Sequence, residues 1–106
     1  MNSDEPIGPI ADRLLFENDR IRVWEMNLPP GGDSGRHRHE NDYVVVMIEG
    51  DRVGIHEHRL PDGTDGGYRE GEVTPGKAIF IPKGGVETAV NPGTMRYRDI
   101  EIELLD

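Results

Sequence analysis

Two histidines separated by one residue, His37 and His39, open the stretch GRHRHENDYVVVMIEG, residues 35–50. In an extended strand, residues i and i+2 project from the same face. Both imidazoles can therefore reach one metal ion, and imidazole suits zinc, copper, iron and nickel. Two imidazoles alone make a weak site, so the chemistry depends on a third ligand. A second His-x-His pair, His56 and His58, lies farther along the chain. If Gly50-Asp51 is a two-residue turn, Tyr43 pairs with His58 and Val45 with His56, and cross-strand partners share a face. If that face is the interior, His58 can serve there as a general base, since histidine titrates near neutral pH. A one-residue slip reverses the reading, and the plainer alternative is a polar hairpin edge.

Strands must position these side chains, and the chain offers little else. No long segment has helical periodicity. Residues 20–28 alternate, with Ile21 and Val23 on one face and Trp24, Met26 and Leu28 on the other. Pro29-Pro30-Gly31-Gly32 ends that strand. Residues 43–49, YVVVMIE, are β-branched and almost wholly apolar, as in a strand buried on both faces. Residues 52–58 return, 59–71 read as a long polar loop, and 78–81 and 86–90 are short strands bounded by Gly and Pro turns. The last strand covers 95–104, with Ile100, Ile102 and Leu104 inward and the acids between them solvated. Short strands with regular turn signals indicate an all-β sandwich or barrel. Residues 1–12 read as a loosely held tail and 13–106 as the single barrel domain.

Composition narrows the function classes. A chain of 106 residues is one domain, and its 14 glycines and 8 prolines favour a turn-rich β chain. The net charge of −9 excludes the basic patch that nucleic acid or an anionic membrane surface requires. No apolar run approaches the roughly 18 residues of a membrane span. With no cysteine there are no disulfides, zinc thiolates or thiol nucleophiles. The start, MNSDEPIGPIADR, has neither a basic nor an apolar segment of a signal peptide, so the expected compartment is the cytoplasm.

The spacing of these residues resembles the cupins, small β-barrels of jelly-roll type. Their first motif runs Gly, five residues, His-x-His, three or four residues, Glu, six residues, Gly. Gly31, His37, His39 and Gly50 match it, with Tyr43 where the Glu belongs. The second runs Gly, five residues, Pro-x-Gly, two residues, His, three residues, Asn. Gly76, Pro82, Gly84 and Asn91 match it, with Glu87 at the His position. Within the family, HRHENDYVVV is similar to the small cupins named after a β-alanine degradation protein. The resemblance spans about residues 14–104 and implies an all-β, cupin-type jelly-roll barrel.

The family's metal site takes two His and a Glu from the first motif and a His from the second. Carried over, the ligand set is His37, His39 and Glu87, a 2-His-1-carboxylate set with open coordination positions. It suits one divalent transition metal: iron, manganese, nickel or zinc. Tyr43 is then a fourth ligand or a hydrogen-bond donor to what binds there. If GGVET is aligned on its Gly-Val-Glu instead, Thr88 takes the motif position and Glu87 points outward. Two functions follow. One is a mononuclear metalloenzyme of oxygenase, isomerase or decarboxylase type, acting on a small polar molecule in the barrel, with Tyr43 and His58 moving protons. The other is a cupin without catalysis, holding a small ligand, a structural metal or nothing. The resemblance also implies a homodimer through the sheet containing residues 20–28, with Val23, Trp24 and Met26 as candidate contacts.

Overall fold

The computed structural model describes residues 10–105. Nine strands form two facing antiparallel sheets, and no helix is present among the described residues. The first sheet carries, in spatial order, β1 (Arg13–Glu17), β2 (Ile21–Leu28), β9 (Tyr97–Leu104), β4 (Tyr43–Glu49) and β7 (Ala78–Ile81). The second carries β3 (His37–Arg38), β8 (Val86–Val90), β5 (Arg52–Arg59) and β6 (Tyr68–Glu72). The sequence-based expectation of a single-domain jelly-roll barrel holds.

Four details differ from the sequence reading. First, β4 and β5 are not a hairpin. β4 pairs with β7 and β9, whereas β5 pairs with β6 and β8, so the chain changes sheets at Gly50-Asp51. Gly50 has φ 136°, and a Cβ there would stand 3.1 Å from the Tyr97 ring. Asp51 fixes the corner by accepting from the Thr94 amide and hydroxyl. These donors, ahead of a smaller opposing effect of burial, pull its carboxyl down to about 2.

Second, the loop expected over 59–71 is shorter, because Tyr68–Glu72 is an edge strand on β5. Its exposed, charged sequence carries no alternation. β1 is likewise an exposed edge strand that patterning did not reveal.

Third, β9 is turned over relative to expectation. Tyr97, Asp99, Glu101 and Glu103 are buried on the inner face, while Ile100, Ile102 and Leu104 face out. The register requires this. Tyr97 pairs with Leu28, Asp99 with Met26 and Glu101 with Trp24, and Met26 and Leu28 belong to the core. Of the three side chains expected at a subunit contact, only Val23 therefore faces out.

Fourth, β4 is not covered on both faces. Tyr43, Val45 and Met47 are buried inside, but Val44 and Val46 are half-buried outside. Phe16, Val23, Ile102, Val44 and Phe80 are successive partners across the sheet and make one apolar row over all five strands.

Residues 1–9 of the expected tail lie outside the described residues. Ile10 and Ala11 are buried in the core cluster, and Asp12 is tied to β2 by a bond from its amide to the Glu25 carbonyl.

Candidate metal centre

His37 and His39 are placed by backbone bonds that lace the Gly31–His39 segment to β8 and the turn before it. The Ser34 amide donates to the Ala89 carbonyl and the His39 amide to that of Gly85, while the His39 carbonyl accepts from Gly84. Register then pairs His37 with Glu87. Gly35, at φ 74°, turns its carbonyl to within 3.1 Å of His37 Nδ1. A proton on Nδ1 shared with that carbonyl leaves Nε2 as the ligating nitrogen, the usual arrangement of a metal-binding histidine.

Glu87, not Thr88, points inward. Its Oε1 lies 3.0 Å from His39 Nε2 and 3.6 Å from His37 Nε2. Thr88 faces the other way, with its hydroxyl 2.9 Å from His58 Nε2. The three candidate ligand atoms lie within 4.8 Å of one another, and both imidazoles are buried. Burial pushes the Glu87 carboxyl up, but hydrogen bonds from His37 and His39 outweigh it and hold the group well below the carboxylate range. The site thus presents a carboxylate and two imidazoles. The donor set fits a borderline transition ion better than calcium or magnesium, which want oxygen throughout.

Tyr43 closes one side. Its ring stacks on His39 at a centroid distance of 3.8 Å, and its hydroxyl donates to Glu87 Oε1 at 2.9 Å. Burial, then the charges of Glu87 and Glu101, push the phenol far above its ordinary range. Tyr43 thus stands as a hydrogen-bond donor to the candidate ligand Glu87.

His58 does not join the site. On β5, Val53, Ile55 and Glu57 line the cavity and His56 takes the outer side; the register breaks between Glu57 and Arg59, and His58 is on the outer side because its Nε2 meets the outward Thr88 hydroxyl. The expected interior placement failed because it assumed a β4–β5 hairpin. His56 instead packs on Tyr68, with ring centroids 4.6 Å apart.

The cavity between the sheets has a volume of about 520 Å³ and reaches His37, Tyr43 and Glu87. Its wall also carries Tyr97, and Asp99 and Glu101, acids that the sequence reading had placed in solvent. The signal was present, since the acids of β9 alternate as strictly as the isoleucines. Assigning the apolar set to the core chose the wrong phase.

No protein-family model matches the chain. The β-alanine degradation protein BauB of Pseudomonas aeruginosa is 43% identical over 35 residues, which cover 33% of this chain and 37% of that protein. Among solved structures, a cupin domain from Bordetella pertussis superposes with a TM-score of 0.71 at 28% identity, covering 93% of this chain and all of the other. The polyketide cyclase RemF of Streptomyces resistomycificus gives 0.58 at 28% identity over 84% of this chain and 57% of its own. An RmlC-like cupin with a double-stranded β-helix fold from Methanocaldococcus jannaschii gives 0.71 at 12% identity, over 88% and 77% of the two chains. The strand order and this kinship with solved cupin domains show a single-domain cupin fold, whose inward His-His-Glu group comes from β8 and the neighbouring β3 segment of the same sheet.

Proposed function

We propose that this cupin is a mononuclear metalloprotein that acts on a small polar molecule admitted to the barrel. The observation that carries the reading is the buried convergence of His37, His39 and Glu87 at the wall of a cavity large enough for a small metabolite. These three residues would hold one divalent transition metal, which supplies Lewis acidity or, for iron and manganese, redox capacity. The protein's own contributions are local. Gly35 orients His37, Tyr43 holds Glu87 in place by its hydroxyl, and Val45, Ile79 and Ala89 give the cavity an apolar side. The proton-moving part once expected of His58 is not proposed, because that residue lies outside the cavity.

Elemental analysis of tag-free protein beside His37→Ala tests the reading. One equivalent of iron, manganese, nickel or zinc in wild type, lost in the variant, is the expected result. No metal in either after reconstitution overturns it. A bound metal with no turnover across candidate substrates would favour the non-catalytic cupin.

We further propose that a second copy of the chain covers the apolar row on the outer face of the five-stranded sheet. Phe16 and Phe80 at its ends are 52% and 58% exposed, an uneconomical surface for a lone domain.

A further inference from the structure

Two hollows meet at the candidate metal centre. One is the cavity of about 520 Å³, and the other is a small pocket of about 40 Å³. Tyr43 and Glu87 belong to both walls, and His39 lines the small pocket. So do two arginines, Arg59 and Arg69, in a chain whose net charge is −9. Arg59 follows Glu57 by two residues on β5, past the point where the register against β8 shifts, and both line the pocket.

The charges of the pocket pair off, with one left over. Its two carboxylates are Glu57 and Glu87. Glu57 Oε1 accepts from Arg69, at 2.9 Å from Nε and 2.7 Å from a terminal nitrogen. Glu87 faces His37 and His39 and, in the reading above, the metal ion. Arg59 remains. It is exposed, and its side chain has no hydrogen bond or ion pair among the described residues. Leu60, Pro61, Ile81, Pro82 and Gly85 complete the wall and bring no charge of either sign. A divalent ion on His37, His39 and Glu87 would therefore leave this pocket with a surplus of positive charge, part of it on a guanidinium open to solvent.

Size then selects among anions. A pocket of about 40 Å³ is little larger than the roughly 30 Å³ share of one water molecule. It suits a planar carboxylate, which a guanidinium meets with two parallel hydrogen bonds, better than a bulkier tetrahedral phosphoryl group. The larger cavity, which shares Tyr43, Glu57 and Glu87 with the pocket, has room for the rest of the molecule.

We propose that Arg59 recognises the carboxylate of a small organic acid and places the rest of that molecule beside His37, His39 and Glu87, which makes a carboxylic acid the substrate class of this site. Arg69 neutralises Glu57, which would otherwise repel the same carboxylate.

The proposal deepens the metalloprotein reading and rests on its site, so ligand and metal are tested apart. Lactate, lactamide and inorganic phosphate are titrated by NMR into zinc-loaded and metal-free protein, as wild type, Arg59→Gln and Arg59→Lys, with zinc uptake and thermal melting measured for each. A bound ion by itself can favour lactate over its amide, so the decisive quantity is how that preference changes with Arg59. Expected is lactate binding at least tenfold tighter than lactamide in wild type. The preference should fall at least fivefold in Arg59→Gln and be partly restored in Arg59→Lys, with zinc uptake unchanged. Phosphate binding as tightly as lactate, no saturable lactate binding in either form, or a preference that Arg59→Gln leaves intact overturns the proposal. If Arg59→Gln takes up less zinc, the metal-free comparison decides it. An Arg59-dependent preference in protein that takes up no zinc sinks the metal reading alone. Zinc uptake with a preference indifferent to Arg59 sinks this one alone.

Discussion

Tyr43 shows how surroundings set the part a single residue can play. Its hydroxyl is held on Glu87 and its ring on His39, so removing the oxygen releases the carboxylate without emptying the space. Tyr43→Phe should bind metal about tenfold more weakly than wild type while melting normally, as judged by competition against a chromogenic chelator. Asp99 and Glu101 give a second expectation at this scale. Burial, first among the causes, raises Asp99 to about 6 and raises Glu101 as well, whereas both titrate near 4 when unfolded. The folded chain then binds more protons than the unfolded one. The pair's contribution to stability is complete below about pH 4 and is lost as pH rises through the folded values. Wild type should lose at least about 3 kcal/mol, the share of Asp99 alone, relative to the Asp99→Asn, Glu101→Gln double variant between about pH 4 and pH 7, measured by urea unfolding. Of the site, His37 and His39 were legible because i and i+2 share a face in any strand. Glu87 was legible only as one of two alignments, since the choice between it and Thr88 depends on the partner strand. His58 was misread because its placement hung on a turn that does not exist.

At the level of elements, strands with β-branched or apolar runs were legible nearly to the residue, as with 43–49, 78–81 and 86–90. β1 and β6 were not, because edge strands need no buried face and so carry no alternation. β9 was located but inverted, because each of its faces is consistently patterned and only the register against Met26 and Leu28 says which one is inside. The second motif's Asn91 is a clip between elements. Its Nδ2 donates to the carbonyls of Leu28 and Met95, and its Oδ1 accepts from the Gly93 amide. The residue is 1% exposed, so truncation strands buried backbone groups at the ends of β2 and β9. Asn91→Ala should cost about 3 kcal/mol in chemical unfolding.

For the whole molecule, the outer face of the five-stranded sheet is what separates a lone barrel from an assembled one. The row from Phe16 to Phe80 passes through Ile102 of the central strand, so a two-fold axis there would let the row meet its own copy. Phe80→Asp should convert a dimer to a monomer in sedimentation equilibrium while leaving the metal content unchanged. A wild type that is already monomeric refutes the second-copy proposal. The inner face bears on a different question, that of how this chain responds to selection. Asp99 sits where leucine or methionine would pack against Met26 and Met47, and Glu101 where one would pack against Trp24 and Val45, and replacing buried charges by well-packed apolar groups is often neutral or stabilising by about 1–4 kcal/mol. Breeding for heat tolerance alone should therefore discard these acids early and return a hardier barrel with an oily interior. Their retention would report that something in the cell still pulls on the inside of the protein.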